Sequence, residues 1–278
     1  MGTIKRKEIL DRLKEQNALG KAIIGVNACM GLTAKCVDRG GADFITVSNE
    51  GYFRRRCRHP YGAMIAFDRA NDNLLQLLPE FLAVVEDSPI LAGVCANDPY
   101  VNWSTLLPRM QEMGVSGIQN SISVGMYDLQ TKGTHEKLGI GYSKEVELIH
   151  NAHNMDMFTA AYCWDEAQAA RMAAAGADVL IANMRYTCPV GRVCVSAELD
   201  ETIDAICRIE SAAHAVNTRA FVLCYGGPIN SIEIVQYVLS RSKGIAGYFG
   251  GSIIEGIPAL NAIIENGKRF KEIKIEQD

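Results

Sequence analysis

The sequence predicts an α/β protein built as a single (β/α)₈ TIM barrel over residues 1–278. Three observations predict it: eight short apolar runs, a helix-like stretch after each run, and a chain length near the ~250 residues that closed barrels need. Strands that are covered on both faces show near-continuous apolarity instead of polar alternation. An open doubly wound sheet is the alternative, but residues 27–31 after the first run lack its Gly-rich dinucleotide fingerprint. No nucleotide cofactor is therefore predicted.

Each element of the barrel follows from a local pattern. Residues 1–20 are charged and amphipathic, so an N-terminal helix is expected before the first strand. Asp165 is a candidate N-cap, and Gly41, Gly114 and Gly176 stand where helices end and strands begin. No linker or composition shift divides the chain, which indicates one domain. The strands are predicted at residues 22–28, 44–49, 90–96, 117–120, 157–163, 179–184, 220–226 and 245–250.

The composition argues against several classes of function. The formal net charge of −4 gives no overall attraction to nucleic acid or to an anionic membrane. No apolar run reaches the ~18 residues of a membrane-spanning helix, and the charged first 20 residues do not resemble a signal peptide. The nine cysteines are an odd number and several lie inside apolar runs, so reduced thiols and a cytoplasmic location are predicted.

Polar residues follow most of the apolar strands, at or just beyond the point where each strand ends. In a parallel barrel these ends meet on one face, where the connecting loops carry the active site. A ring of polar side chains at this position therefore predicts a pocket around the barrel axis. The candidate catalytic residues are Glu50, Asp98, Gln119, Asn183, Arg185 and Tyr225.

Glycine clusters end the last two strands. Gly226 and Gly227 follow the seventh strand, and Gly250, Gly251 and Ser252 end the eighth, ahead of a helix-like stretch. Glycine lets backbone N–H groups approach an anion closely, and a helix N-terminus adds a partial positive charge. These residues are the predicted anion- or phosphate-binding set, with a small anionic metabolite as the expected partner. Tight turns without a ligand are the alternative role for the same glycines.

One long loop on this face is rich in arginine. Residues 51–66 contain Arg54, Arg55, Arg56 and Arg58. Their guanidinium groups are suited to clamping a carboxylate or phosphate, but a solvated loop or a subunit contact explains them equally well. Nucleic-acid binding is not expected, because no basic stripe or interleaved aromatic residues extend the cluster.

Metal ligands are sparse in the sequence. Cys188 and Cys194 lack the spacing of a zinc site, and no second pair complements them. Asp98 and Glu50 are the candidates to hold Mg²⁺ through water. The cysteines in or beside strand ends have no neighbouring histidine base and are predicted to be packing residues; they are Cys29, Cys95 and Cys224.

Several phrases stand in order along the chain: GLTAKC at 31–36, GGAD at 40–43, LAGVCANDP at 91–99, GIQN at 117–120 and LCYGGPI at 223–229. Together they resemble the phosphoenolpyruvate hydrolase-like family, also called TIM-barrel signal transduction proteins. Some plant virus-resistance proteins carry such a domain. The resemblance implies kinship with the phosphoenolpyruvate mutase and isocitrate lyase superfamily. Its members make or break C–P, C–O or C–C bonds beside a 2-oxo acid, usually with Mg²⁺ and an enolate intermediate, and are usually homo-oligomers.

Two strand ends depart from the family pattern, which has histidine where Asn183 and Tyr225 stand. Histidine transfers protons near neutral pH, whereas asparagine does not titrate and tyrosine does so only near ~10. One hypothesis is a lyase or hydrolase acting on a small 2-oxo acid or phosphorylated enol acid through an enolate. Arg185 or the arginine loop would neutralise charge, and Asp98, Glu50 or Tyr225 would move protons. The alternative is a catalytically silent or regulatory ligand-binding barrel that partners an active enzyme.

Overall fold

Eight parallel strands close into a barrel in chain order, and the last strand pairs with the first. The computed structural model describes residues 3–64, 69–185, 187–189, 192 and 195–274. The strands are β1 (Ile23–Ala28), β2 (Phe44–Val47), β3 (Ile90–Val94), β4 (Gly117–Asn120), β5 (Phe158–Cys163), β6 (Val179–Asn183), β7 (Phe221–Tyr225) and β8 (Ile245–Gly250). The predicted (β/α)₈ TIM barrel is confirmed, with every strand end within two residues of its predicted position.

Helices surround this barrel and connect its strands. They are α1 (Arg6–Ala18), α2 (Gly31–Arg39), α3 (Asn49–Arg54), α4 (Ala70–Leu82), α5 (Trp103–Met113), α6 (Leu129–Lys137), α7 (Tyr142–Asn154), α8 (Glu166–Ala174), α9 (Ser196–His214), α10 (Ile232–Arg241) and α11 (Ile257–Lys271). Short 3₁₀ turns lie at Pro60–Met64 and Val124–Met126, and a π-helical turn at Ser252–Gly256 leads into α11. In the described part of the chain, none of these helices has the length and apolarity needed to cross a bilayer.

The end of the second strand differs from its prediction. The apolar run extends to residue 49, but β2 ends at Val47 and Ser48 is the residue that precedes α3. Asn49 and Glu50 therefore lie in the first turn of a helix and not on the strand. This places Glu50 at the barrel mouth.

Aromatic contacts between strands that are not neighbours show which residues fill the barrel interior. The ring of Phe44 on β2 lies 5.9 Å from that of Phe158 on β5, and also 5.9 Å from that of Phe249 on β8. Gly25 on β1 makes room for this cluster, because a Cβ there would lie 2.3 Å from Phe44 Cζ. Helix α1 adds Leu13 to the same cluster, so the helix expected within residues 1–20 packs against the barrel interior.

The connections between helices and strands have the predicted local chemistry. Asp165 caps α8 by accepting a hydrogen bond from the Gln168 amide at 2.8 Å. Gly41, Gly114 and Gly176 take φ angles of +83°, +104° and +91° in the turns that precede the following strands. Glycine is favoured at these three positions because the side chain of any other residue is sterically disfavoured at a left-handed φ angle.

Helix α11 has little contact with the barrel. Its large apolar residues are open to solvent, with exposures of 58% at Leu260, 67% at Ile263, 55% at Ile264 and 67% at Phe270. The last turn is basic, with Lys268, Arg269 and Lys271. An exposed apolar patch of this kind on a helix is typical of a protein–protein contact.

Candidate active site

A pocket opens around the barrel axis at the carboxyl ends of the strands, and we call it the mouth pocket. It brings together six of the predicted site residues, which are Glu50, Asn183, Arg185, Tyr225, Gly251 and Ser252. Its other lining residues are Asn27, Arg54, Pro60, Met126, Trp164 and Phe249. The pocket therefore lies on the barrel face that the polar strand ends predict.

Two predicted catalytic residues lie outside the mouth pocket. Asp98 lines a separate cavity, here called the loop cavity, whose walls include Cys95, Ile122 and Val124. Gln119 on β4 is completely buried, and neither its amide oxygen nor its amide nitrogen has a hydrogen-bond partner. A role in catalysis remains a prediction for both residues.

The predicted anion-binding glycines are divided between two spaces. Gly251 lines the mouth pocket, while Gly227 lines an outer vestibule of about 500 Å³. Gly226 and Gly250 are not among the described residues that line either space. The vestibule shares four lining residues with the mouth pocket, namely Met126, Trp164, Asn183 and Arg185. The two spaces therefore adjoin.

The charged groups of the mouth pocket are organised around Arg54. Its Nη2 donates to the backbone oxygen of Asn27 and to Glu255 Oε1, the latter at 3.0 Å. Asn27 in turn donates from Nδ2 to Glu50 Oε2 at 2.8 Å. Gly251 permits this arrangement, because a Cβ there would lie 2.5 Å from the Asn27 oxygen and 3.0 Å from Arg54 Nη2. Arg54 is therefore held by Glu255 and by the Asn27 backbone, while Glu50 is bonded to the side chain of the same asparagine.

Burial controls the protonation of these groups. It raises the pKa of Glu50, although the Arg54 charge and the Asn27 hydrogen bond oppose the shift. Burial also raises the pKa of Tyr225 well above its usual range, and the Glu50 charge adds to the effect. Burial works to lower the pKa of Arg54, but the charges of Glu255 and Glu50 outweigh it and the pKa rises. Arg54 thus stays charged and Tyr225 stays neutral at physiological pH.

Two hydrogen-bond donors on described residues at the mouth have no partner. They are Arg54 Nε and Trp164 Nε1, which are buried and belong to residues that line the pocket. Guanidinium and indole N–H groups cannot accept a hydrogen bond, so only an acceptor satisfies them. Buried polar groups without partners are uncommon and costly in folded proteins. These donors therefore favour a ligand with acceptor oxygens.

Asn183 and Arg185 share a tight connection after β6. The Arg185 amide donates to Asn183 Oδ1 at 2.8 Å, and Arg185 has a left-handed φ of +72°. Such backbone strain in a residue other than glycine occurs most often at functional sites. Asn183 therefore holds the backbone that presents Arg185, and its amide oxygen is already occupied.

The double glycine after β7 packs against this same connection. Gly226 has a φ of +81°, and a Cβ there would lie 2.0 Å from the Arg185 oxygen. The Gly227 amide donates to that oxygen at 3.3 Å, and its own oxygen accepts from the Cys188 amide at 2.8 Å. These contacts favour the turn interpretation of the two glycines, since the Gly227 amide is already bonded within the protein.

The arginine-rich loop contributes Arg54 and Pro60 to the described pocket lining, whereas Arg55 and Arg56 have partners elsewhere. Arg55 pairs with Glu80 at 2.9 Å, and Arg56 stacks over the Tyr52 ring at 3.6 Å. Of these three arginines, only Arg54 lines the mouth pocket. The described structure thus supports an anion clamp by one arginine.

The strand-end cysteines have the properties of packing residues. Burial raises the pKa of Cys29 to about 11 and that of Cys95 to about 12, so neither carries a thiolate near neutral pH. Cys224 is completely buried as well, and its pKa is raised by burial to about 12. Cys194, which the sequence analysis considered with Cys188 as a metal ligand, lies outside the described residues.

Mg²⁺ is the cofactor that the family resemblance implies. In the described residues, no three His, Cys, Asp or Glu side chains come together as a metal site. Mg²⁺ keeps several waters and needs only one or two carboxylates from the protein. Glu50 in the mouth pocket fits that role, whereas Asp98 belongs to the loop cavity.

Glu145 anchors the loop after β4 that carries Met126 into the mouth pocket. It is completely buried on α7 and accepts hydrogen bonds from Asn120 Nδ2 at 2.6 Å and from the Val124 amide at 2.8 Å. Burial raises the pKa of this carboxyl to about 8, although hydrogen bonds from Ser123, Asn120 and Val124 oppose the shift.

The raised pKa of Glu145 predicts a pH-dependent stability. The folded protein binds more protons than the unfolded chain between the ordinary glutamate pKa of ~4.3 and the raised value, so stability falls as pH rises through this window. We expect a loss of up to about 1.4 kcal/mol per pH unit, measured by urea unfolding at several pH values. Glu145→Gln should flatten the slope, and Glu147→Gln, an exposed change on the same helix, should not. Equal slopes in wild type and Glu145→Gln would contradict the prediction.

The model of the family described as phosphoenolpyruvate hydrolase-like matches residues 8–273. The chain belongs to this family. The resemblance inferred from the sequence phrases is therefore confirmed, and the predicted enzyme class agrees with the membership.

Relatives of known sequence or structure extend the comparison. The "ToMV susceptible protein tm-1(GCR26)" of Solanum lycopersicum is 38% identical over 274 residues, which is 98% of this chain but 36% of the tomato protein. A phosphonopyruvate hydrolase solved with oxalate and Mg²⁺ has a TM-score of 0.62 at 13% identity, with 96% of this chain and 87% of that one covered. A 2,3-dimethylmalate lyase of the PEP mutase/isocitrate lyase superfamily has a TM-score of 0.59 at 14% identity, with 98% and 90% covered. At these identities the two structures share the fold with this chain.

Proposed function

We propose that the mouth pocket binds a small anionic 2-oxo acid or phosphorylated enol acid. It breaks a bond to the carbon next to the 2-oxo carbon, or the O–P bond of the enol phosphate, so that the organic fragment is released as an enolate and then protonated. The observation that carries the proposal is the pair of buried, unpartnered donors, Arg54 Nε and Trp164 Nε1, on residues lining one pocket. Family membership supports the same class of chemistry. So does the likeness of fold to an enzyme solved with oxalate, a small dianion.

We assign the stabilisation of the enolate's negative charge to Arg54 and Arg185. An enolate places charge on the former carbonyl oxygen, and fixed donors aimed at that position lower the barrier more than mobile water does. Arg54 is pre-positioned for this task by Glu255 and by the Asn27 backbone oxygen. Arg185 projects from a strained connection at the border of the mouth pocket and the vestibule.

We assign proton acceptance to Glu50 and hydrogen-bond donation to Tyr225. Because burial raises the pKa of Glu50, this carboxyl accepts a proton more readily than an exposed glutamate. Tyr225 stays protonated and donates a hydrogen bond to the substrate oxygen. Asn183 has no titratable group and serves to position Arg185.

Space in the pocket limits the size of the substrate. The mouth pocket holds a free volume of about 30 Å³, room for only a few water molecules, whereas the vestibule beside it has about 500 Å³. Met126 and Trp164 lie between the two spaces. We infer that these side chains move toward the vestibule when a substrate larger than a few atoms enters.

Mg²⁺ fits this proposal as a partner of Glu50. When bound, the ion would add positive charge that stabilises an enolate. If Glu50 and Glu255 are counted as anions and Arg54 and Arg185 as cations, the four formal charges at the mouth sum to zero. A dianionic substrate then leaves a net negative charge that a divalent cation neutralises.

The test is a mass-spectrometric screen of 2-oxo acids and phosphoenol compounds, with and without Mg²⁺. Turnover that is lost in Arg54→Met and kept in Arg56→Met supports the proposal, because Arg56 lies outside the pocket. Absence of turnover across the screen, with correctly folded protein, would remove the catalytic proposal.

The second candidate function is a catalytically silent or regulatory barrel that partners an active enzyme. It rests on Asn183, whose amide oxygen is bonded to the Arg185 amide, and on Tyr225, whose pKa is raised far above neutrality. The double variant Asn183→His/Tyr225→His separates the two candidates. Activity that arises only in the double variant favours the silent barrel, and turnover by the wild type excludes it.

We further propose that the protein is a cytoplasmic homo-oligomer. The eight cysteines in the described part of the chain are free thiols, which suits a reducing compartment. The exposed apolar residues of α11 are the proposed contact with another copy. The chain spans about a third of the length of the tomato relatives that it matches.

Introducing charged residues on the apolar face of α11 tests whether this face holds the proposed oligomer together. Ile263→Lys/Phe270→Lys should lower the molar mass measured by light scattering to that of a single chain. Lys268→Glu, on the same helix, should leave it unchanged. A wild type that already has the mass of one chain would contradict the prediction.

A further inference from the structure

The loop cavity is separate from the mouth pocket and has no part in the function proposed above. It is a half-open cleft of about 360 Å³ between the loops that follow β2, β3 and β4. A closed cavity of ~150 Å³ is large enough to bind benzene, so this cleft has room for a ring that carries a short chain. Its walls combine apolar groups, such as Ile122, Val124 and Ile140, with the polar side chains of Asn97 and Asp98.

Asn97 presents a fixed hydrogen-bond acceptor in this wall. Its Nδ2 donates to the backbone oxygens of Ile140 and Gly141 at 2.7 and 2.9 Å. Backbone oxygens accept only, so these two bonds fix which side of the amide carries nitrogen and which carries oxygen. The opposite atom, Asn97 Oδ1, is buried and has no partner. An N–H or O–H donor in the cavity would complete it.

Asp98 adds a fixed negative charge beside this acceptor. Its Oδ2 accepts from Asn71 Nδ2 at 3.0 Å, and its Oδ1 accepts from the Tyr100 amide at 3.0 Å. The arginine in the cavity wall, Arg69, forms an ion pair with Asp72 at 2.8 Å. The two hydrogen bonds to the Asp98 carboxylate come from uncharged donors, so its negative charge is suited to a cation.

We propose that the loop cavity binds a small amphiphilic amine, with its ammonium group at Asp98 and Asn97 and its hydrocarbon body against Ile122, Val124 and Ile140. An ammonium group supplies the donor that Asn97 Oδ1 lacks and the positive charge that Asp98 lacks. The apolar wall accepts the hydrocarbon part. The mouth pocket, with Arg54 and Arg185, selects the opposite charge. One face of the barrel thus carries two sites of opposite charge preference.

Three probes with a common phenyl and alkyl body test the proposal: 4-phenylbutylamine, 4-phenylbutanol and 4-phenylbutyrate. Binding is measured on the full chain by ligand-observed NMR titration and calorimetry. Probes of this size reach a Kd near about 1 mM when their body is well buried. We expect the amine to bind at least tenfold more tightly than the butyrate, with the alcohol in between.

Variants locate the binding within the cavity. Asp98→Asn should weaken the amine about tenfold and leave the alcohol within about threefold, because only the amine loses an ionic partner. Ile140→Trp fills the rim and should weaken both. Leu138→Trp, an equally large change at an exposed position outside the cavity lining, should weaken neither.

Three results would overturn the proposal. They are butyrate binding as tight as that of the amine, amine binding that Ile140→Trp leaves unchanged, and no binding of any probe at about 10 mM. Circular dichroism of each variant checks that its fold is retained. Tyr225→Phe in the mouth pocket should leave the amine Kd unchanged, and a loss there would assign the amine to the other site.

Discussion

Arg54→Met should abolish anion binding at the mouth pocket and lower stability by about 3–5 kcal/mol. The stability loss arises because Glu255, whose side chain has no exposed surface, would keep a buried charge without its partner. The binding loss arises because the change removes the charge and the unpartnered Nε donor together. Oxalate titration and urea unfolding measure the two effects, and any turnover should fall by a factor of about 100 or more.

A second substitution separates the two effects of this variant. Arg54→Met/Glu255→Gln removes both charges, so most of the lost stability should return while anion binding stays absent. Arg56→Met is the matched control, because that guanidinium stacks over Tyr52 outside the pocket. If the double variant regained anion binding, Arg54 would be a structural residue and the proposed charge stabilisation would be wrong.

The fold was predictable because its determinants are local. A strand that is covered by helices outside and by side chains inside needs apolar residues on both faces, and this requirement made each strand visible as a short run. Glycines such as Gly114 and Gly176 marked helix ends because the left-handed φ angle there excludes most other residues. The strand was predicted to continue through residues 48–49, which is wrong because the helix that follows gives no local signal. A helix of six residues is too short to produce a periodic pattern.

The site was only partly predictable because its determinants are distant in sequence. In the arginine-rich loop, nothing local distinguishes Arg54 from Arg55 or Arg56. The difference is made by Glu255, which lies 201 residues later and draws the Arg54 guanidinium into the mouth. Asp98 shows the converse case. It follows a strand as predicted, but its carboxylate lines the loop cavity because Asn71 and the Tyr100 amide hold it there.

The two sites share a wall formed by the turn Val124–Met126. Val124 lines the loop cavity, whereas Met126, two residues later, lines the mouth pocket. The turn is held by Glu145, whose Oε1 accepts from the Val124 amide. One buried carboxyl thus fixes the short segment that supplies a lining residue to each of the two sites.

Gly226→Ala should lower stability by about 3 kcal/mol or more and weaken anion binding as a consequence. An alanine at a φ of +81° costs roughly 1–2 kcal/mol, and its Cβ would lie 2.0 Å from the Arg185 oxygen, so the connection that presents Arg185 must shift. Gly20→Ala is the control, because Gly20 has a φ of +68° and no atom within 4 Å of the added Cβ. Gly20→Ala should lose only the stability that corresponds to backbone strain at a left-handed φ angle, about 1–2 kcal/mol.

The comparison of these two alanine variants decides between the interpretations of the double glycine. If Gly226 serves the turn, Gly226→Ala loses clearly more stability than Gly20→Ala, as urea unfolding would show. If the glycines instead cradle an anion and the Arg185 connection yields easily to the added Cβ, Gly226→Ala should match Gly20→Ala in stability and still lose oxalate affinity. The Gly227 amide is already bonded to the Arg185 oxygen at 3.3 Å. We therefore expect the larger stability loss, with Arg54 and Arg185 as the groups that hold the anion.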